Sequence, residues 1–286
     1  MPKCLLVYFS NGRTTAQVAE SIAGGLRAAE YQVDLYNLRD KEPPVPDGYD
    51  LLGVGLPTYY YRPPFNVTEY VRSLPQMEGL PAFSFVLHGT FPGDAGNQVR
   101  AALARKGARE VSYFRSFGAD YYLGYLRQGY LFSPDHPTPE ELAQAEAFGQ
   151  VVAERASGSQ YVGAQGDPAP GLIYRFERLT TNSWLARTLY SRFFLADKQK
   201  CVSCGICIQD CPTGNIDEDP EGHPVWGRDC LLCLYCEMNC PEGAITSPVS
   251  WPLFTPFMKY NVRAASRNPA INHVRVRYSQ GKTERI

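Results

Sequence analysis

Short apolar runs alternate with amphipathic stretches through the first 155 residues, and then the alternation stops. Five of the apolar runs read as strands, at residues 3–9, 31–36, 50–56, 82–88 and 110–114. Between them a helical period predicts helices over 14–29, 65–74, 97–106 and 139–156. Thr138, with Glu141 three residues later, supplies a capping box for the last helix. This alternation is the signature of an α/β unit, a doubly wound five-stranded parallel sheet with helices on both faces.

Proline and glycine thicken at 157–171, which reads as a linker. Over 178–194 the apolar residues Leu179, Trp184, Leu185, Leu189, Phe193 and Phe194 recur at mostly helical spacing, a stripe expected to pack against another domain. Residues 200–247 have almost no periodicity yet hold eight of the nine cysteines, so their folding is expected to depend on metal rather than on an apolar core. The ninth, Cys4, lies in the first strand and reads as a core thiol.

The eight cysteines form two runs of the pattern C-x2-C-x2-C-x3-C-P. One is Cys201, Cys204, Cys207 and Cys211 before Pro212; the other is Cys230, Cys233, Cys236 and Cys240 before Pro241. Soft thiolates at this spacing suit [4Fe–4S] ligation, with the fourth cysteine of each run serving the other cluster. One cluster would take Cys201, Cys204, Cys207 and Cys240, and the other Cys230, Cys233, Cys236 and Cys211. A constant shift of 29 also carries Gly214 onto Gly243 and Ile216 onto Ile245, an internal duplication. Structural zinc rarely needs eight interleaved cysteines, and disulfides are not expected in a cytosolic chain. Over about 50 residues the pattern resembles the bacterial two-cluster ferredoxin, a small α+β domain, whose pseudo-twofold fold crosses ligands in this way.

Three loops follow the strands whose carboxyl ends bind ligands in a doubly wound sheet. The first, Ser10, Asn11, Gly12, Arg13, Thr14 and Thr15, opens a helix, where hydroxyls and backbone N–H groups could cradle a phosphate. The second runs Pro57, Thr58, Tyr59, Tyr60, Tyr61, and the third His88, Gly89, Thr90, Phe91, Pro92, Gly93. With these loops residues 1–155 resemble flavodoxins, and nearly the whole chain resembles proteins that fuse a flavodoxin-like domain to a two-cluster ferredoxin. The resemblance implies FMN. Ser10 to Thr15 would take its phosphate, Pro57, Thr58, Tyr59 and Tyr60 would flank the isoalloxazine, and Thr90, Phe91 and Gly93 would meet its far side. One departure stands out: Gly12 comes a position early, and Arg13 stands where the family has glycine, adding a charge to the phosphate or straining the turn.

The resulting division is a flavodoxin-like FMN domain over 1–156, a linker and packing helix over 157–196, a two-[4Fe–4S] domain over 197–247 and a basic extension over 248–286. Charge follows these divisions. Residues 201–247 carry 1 Lys/Arg against 8 Asp/Glu, and residues 248–286 carry 7 against 1. The tail is expected to wrap back on the body, with a docking arm for an acidic partner as the alternative. It has no nucleic-acid reading motif. The N-terminus lacks the apolar region of an export signal and no stretch is long enough for a membrane span, so a soluble cytoplasmic chain is expected.

Two function classes lead, ahead of a third in which the chain is an interaction module with clusters kept for structure. The first is an electron-transfer protein passing electrons between two [4Fe–4S] clusters and FMN, loaded by a partner ferredoxin, an oxidoreductase or a reductase-dependent enzyme. The second is an iron–sulfur flavoenzyme with a planar organic substrate over the flavin, walled by the aromatics Tyr113, Phe114, Phe117, Tyr121, Tyr122, Tyr125, Tyr130 and Phe132. Packing is the plainer role for those rings. For the enzyme, His88, Tyr59 and Tyr121 are the candidate proton donors, with a structural histidine as the alternative for His88. A homodimer is compatible with either class.

Overall fold

The computed structural model describes residues 1–40, 42–158, 163, 165–167, 171–279 and 282–286. Parts of the 157–171 linker reading therefore lie outside the described residues. The chain begins with β1 (Lys3–Tyr8), α1 (Thr14–Ala28), β2 (Gln32–Asn37), β3 (Leu51–Pro57), α2 (Phe65–Ser73), β4 (Pro81–His88), α3 (Ala95–Arg105) and β5 (Arg109–Phe117). A short helix α4 (Leu123–Leu126) and strand β6 (Tyr130–Phe132) follow, and then α5 (Pro139–Ser157) and α6 (Leu172–Thr180). The remaining elements are α7 (Ser183–Thr188), β7 (Leu195–Ala196), α8 (Ile206–Gln209), β8 (Ile216–Glu218), β9 (Pro224–Trp226), α9 (Tyr235–Met238), β10 (Ile245–Thr246), α10 (Thr255–Ser266), β11 (His273–Ser279) and β12 (Lys282–Arg285).

Two compact units result: Met1–Ala119 with Asp135–Arg178, and Asp120–Pro134 with Leu179–Ile286. In the first unit five parallel strands stand in the order β2-β1-β3-β4-β5, the flavodoxin-like order with its switch point between β1 and β3. The central strands β3 and β4 are almost wholly apolar and buried, as strands covered on both faces must be. On one face α1 and α5 pack so closely that a Cβ on Gly25 would lie 1.9 Å from the Glu146 carbonyl oxygen. Thr138 and Glu141 form both bonds of the capping box that starts α5. Cys4 is fully buried in this core, and burial pushes its thiol far above the ordinary range.

The second unit is built from small sheets. β7 pairs with β10, β8 with β9, and β6 with β11, which in turn pairs with β12. The basic tail is thus stitched to the segment that follows β5 in sequence. Tyr125 and Phe132 are buried in this unit, and the Arg275 guanidinium lies 4.2 Å over the Tyr130 ring. The apolar stripe over 178–194 does not form one helix. It divides among the end of α6, α7 and a 3-10 turn at Tyr190–Phe193, with Leu179 and Trp184 about 70% exposed (70% and 68%). Asn182 caps α7 by accepting the Leu185 N–H, which is what breaks the stripe. Among the described residues no helix is long and apolar enough to cross a membrane.

Candidate functional site

Two hollows in the second unit collect the eight cysteines. Cys201, Cys204, Cys207 and Cys240 line one, and Cys211, Cys230, Cys233 and Cys236 line the other. The duplicated backbone explains the exchange. Ser203 and Leu232 are left-handed (φ 52° and 55°), as are Gly205 and Leu234 (72° and 60°) and Gly214 and Gly243 (61° and 57°). Each loop thereby turns three sulfurs inward and enters a single helical turn, α8 or α9, whose far end releases the fourth cysteine toward the other hollow.

Backbone donors accompany the sulfurs. The Asn215 N–H donates to Cys211 Sγ at 3.3 Å, and its counterpart Ala244 N–H donates to Cys240 Sγ at 3.2 Å. The Leu232 N–H donates to Cys230 Sγ at 3.3 Å. Trp226 Nε1 is buried without a hydrogen-bond partner among the described residues and faces Cys236. Burial and then the neighbouring Cys204 push the Cys207 thiol up to about 11. Cys230 and Cys236 are raised further, by burial and then by Cys233. Thiols so buried and crowded become thiolates only beside a compensating cation, which the iron of a cluster supplies. The donor set, the inward N–H groups and the orphaned indole N–H all fit a [4Fe–4S] group.

At the carboxyl end of the first unit's sheet, the loop after β1 is held from beneath by residues of the adjacent β2 edge. The Ser10 N–H donates to Asn37 Oδ1 at 3.1 Å, and Asn37 Nδ2 returns a bond to the Ser10 carbonyl at 3.2 Å. Arg39 Nη1 donates to the Asn11 carbonyl and to its Oδ1, at 3.3 and 3.2 Å. Ser10 Oγ accepts the Ala16 N–H at 3.3 Å. Arg13 enters α1 in the left-handed region (φ 73°, ψ −27°), with no side-chain cap and no acidic residue in the first turn. Asn11 Nδ2 is buried and has no hydrogen-bond partner among the described residues. A helix N-terminus open in this way, with a spare amide donor beside it, fits an anionic group such as a phosphate.

The loops after β3 and β4 are locked together. Thr58 Oγ1 donates to the Pro92 carbonyl at 3.3 Å, and a Cβ on Gly93 (φ 61°) would lie 2.4 Å from the Tyr61 carbonyl oxygen. Only glycine fits there. Tyr60 and Tyr61 are both left-handed in a tight turn whose ends, Tyr59 and Arg62, exchange backbone hydrogen bonds. The Tyr59 ring meets Phe9 edge-on at 6.0 Å, and Tyr61 stacks on Phe91 at 6.3 Å. Pro57, Thr58, Tyr59, Tyr60, Thr90, Phe91 and Gly93 thus stand in two coupled loops beside the Ser10–Thr15 turn.

His88 is 7% exposed, its Nδ1 has no hydrogen-bond partner among the described residues, and its ring lies 4.6 Å from that of Phe117. Burial, then the Arg115 charge, lowers it to about 4, so near neutral pH it is an uncharged imidazole. Tyr121 is 45% exposed and belongs to the other unit, so neither unit by itself assembles His88, Tyr59 and Tyr121 into one site. Sequence reasoning missed Asn37 and Arg39, whose signal was their place at the end of the strand beside β1. It also missed Trp226, an aromatic four residues before the second run of cysteines.

A model of the 4Fe-4S binding domain matches residues 195–217. Among curated proteins, the chain is 43% identical over 53 residues to pyruvate synthase subunit PorD of Methanocaldococcus jannaschii, which is 18% of this chain and 62% of that one. It is 32% identical over 62 residues to an uncharacterized ferredoxin of the same organism, 20% of this chain and 80% of that one. The chain therefore spans less than two thirds of the PorD subunit but most of the ferredoxin. Among solved structures it is similar to a flavodoxin from the domain Archaea, at TM-score 0.41 and 20% identity, over 55% of this chain and 99% of that one. It is also similar to oxidised flavodoxin 1 of Bacillus cereus, at TM-score 0.42 and 18% identity, over 53% and 97%. The flavodoxin-like assignment rests on the strand order of the first unit itself. With that sheet preceding a cysteine domain that matches an archaeal ferredoxin over most of its length, the chain belongs to the ferredoxins, as a fusion of a flavodoxin-like domain with a ferredoxin domain.

Proposed function

We propose that this protein passes electrons between two [4Fe–4S] clusters and FMN, exchanging them with a redox partner protein. The observation that carries this reading is the sorting of eight cysteines into two hollows of four, in the same chain as a sheet whose first loop opens an uncapped helix N-terminus. When bound, each cluster supplies a one-electron carrier and FMN a two-electron carrier. The chain's residues do the holding. The two sets of cysteines would ligate the clusters, the Ser10–Thr15 turn would hold the phosphate, and the coupled loops at Pro57–Tyr60 and Thr90–Gly93 would position the ring. Resemblance to a subunit of pyruvate synthase supports an enzyme as the partner class.

The rings expected to wall a substrate support the relay instead. Tyr125 and Phe132 are spent in the core of the ferredoxin unit, and the buried, neutral His88 is a poor proton donor. Anaerobic purification with iron, sulfide and flavin quantitation tests the reading. It expects about eight iron and about one FMN per chain. About eight iron with no flavin, on attempted reconstitution with FMN as well, would reduce the protein to a two-cluster ferredoxin carrying an empty domain.

A further inference from the structure

The segment Asp120–Pro134 follows β5 in sequence but belongs to the ferredoxin unit. β6 pairs with β11, and Leu123, Tyr125, Leu126 and Phe132 are at most 5% exposed. The middle of this arm carries one half of a charge pair. Arg127, just after α4, donates from Nη2 to Glu237 Oε1 and from Nη1 to Ser250 Oγ. The Glu237 side chain is 2% exposed, its Oε2 accepts the Ser247 N–H at 3.0 Å, and its own carbonyl accepts the Tyr278 hydroxyl at 3.4 Å. Glu237 follows Cys236 directly, so a buried carboxylate and its guanidinium stand one residue from the second hollow. The duplication does not repeat this acid in the first half: the 29-residue shift that maps Cys236 onto Cys207 maps Glu237 onto Ile208, and the carboxylate that lines the first hollow, Glu242, is exposed. The two halves share a backbone but not their charges.

We propose that Arg127 and Glu237 are positioning residues for the second iron–sulfur site, tying the Asp120–Pro134 arm to α9 and holding two opposite charges in balance beside that site, so that its reduction potential moves when either charge is left alone. The inference rests on the two-cluster reading above. In a low-dielectric interior a net charge acts over several ångströms, whereas a closed ion pair leaves little field. Removing one partner therefore leaves a field of known sign. Glu237→Gln leaves the guanidinium and eases addition of an electron, and Arg127→Gln leaves the carboxylate and hinders it. Loosening of the arm alone would move both variants in the same direction, and a pair screened from the site would move neither.

The test is an anaerobic redox titration of the full, cluster-loaded chain, followed by electron paramagnetic resonance, with every variant at the same pH. The expected result is a single moving midpoint: upward in Glu237→Gln, downward in Arg127→Gln, and back toward the parent value in the double variant. Arg127→Lys keeps the charge but not the fork, so it preserves the potential while limited proteolysis cuts the arm faster than in the parent. This variant carries the test if breaking the pair prevents folding. Shifts of the same sign in both single variants, equal movement of both midpoints, or no movement would overturn the inference. Iron is counted on the same samples. About eight iron with unmoved midpoints sinks the pair's role alone. About four iron sinks the two-cluster reading, and the surviving signal then judges the pair by the same opposed shifts.

Discussion

Tyr113 on β5 donates its hydroxyl hydrogen to Asp167 at 2.7 Å, across 54 residues of chain. Asp167 lies in the stretch whose composition reads as a linker, yet its side chain is fully buried. Its carboxylate also accepts the Gly96 and Asn97 N–H groups at 3.0 and 3.3 Å, at the start of α3, and pairs with Arg115 at 3.2 Å. One carboxylate thus caps a helix, satisfies a buried hydroxyl and neutralises a guanidinium. Taking it away leaves a charge and three donors unsatisfied. Asp167→Ala is expected to cost about 3 kcal/mol of stability, the scale for leaving several buried donors without their acceptor, and Asp167→Asn less because an acceptor remains. Urea unfolding of the full chain measures it. A loss under about 1 kcal/mol would mean that the contact is incidental.

His88 gives the first unit an acid-sensitive element. Its folded value near 4 lies below the ordinary 6.5, so the unfolded chain takes up the proton first. Its contribution to stability is therefore complete above about pH 6.5 and is lost as pH falls toward 4. The gap between the two values corresponds to about 3 kcal/mol. Thermal unfolding between about pH 7 and pH 4 is expected to be less steeply pH-dependent in His88→Gln than in the parent. Equal slopes would show that His88 is not the group responsible.

Much of this architecture is legible locally. The five strands of the first unit and four of its helices, α1, α2, α3 and α5, lie within about three residues of where apolar periodicity puts them, because each apolar run is also the buried surface of its own element. Cysteine spacing is as local a signal, since the loop that brings three sulfurs together is continuous. What escapes are residues whose role depends on distant partners. Asp167 is one acid among prolines and glycines, Arg127 one base among tyrosines, and neither sequence neighbourhood names Arg115 or Glu237. The stripe over 178–194 misleads for the opposite reason. Its spacing is helical, but Asn182 offers the backbone a cap in mid-run and the helix restarts.

Arg13 sets backbone comfort against charge. A side chain at φ 73° costs roughly 1 kcal/mol that glycine avoids. Arg13→Gly is therefore expected to stabilise the ligand-free protein by about that amount. If the guanidinium meets a bound phosphate, the same substitution is expected to weaken FMN binding by roughly tenfold, the scale of one charge-assisted hydrogen bond. Fluorescence titration with FMN, alongside unfolding of the ligand-free chain, separates the two effects. Greater stability with unchanged affinity would show that the arginine serves neither the turn nor the ligand.

The exchange of fourth cysteines makes the sharpest prediction about the ferredoxin unit. Cys211 belongs to the first run by sequence but lines the hollow of Cys230, Cys233 and Cys236, while Cys240 lines that of Cys201, Cys204 and Cys207. Cys211→Ser and Cys230→Ser are therefore expected to alter the same electron paramagnetic resonance signal, and Cys240→Ser and Cys201→Ser the other. Each is expected to cost about half of the bound iron or more, since a lost or weakened cluster also frees the loop that feeds its neighbour. Chelating the iron from the parent should go further. Residues 197–247 have strands of only two or three residues and helices of four, too little regular structure to persist without their metal. Amide exchange of that segment should then become fast while β1 and β3 to β5 stay protected. If Cys211→Ser instead altered the signal shared with Cys201, ligands would be taken run by run, and the two halves would be separable.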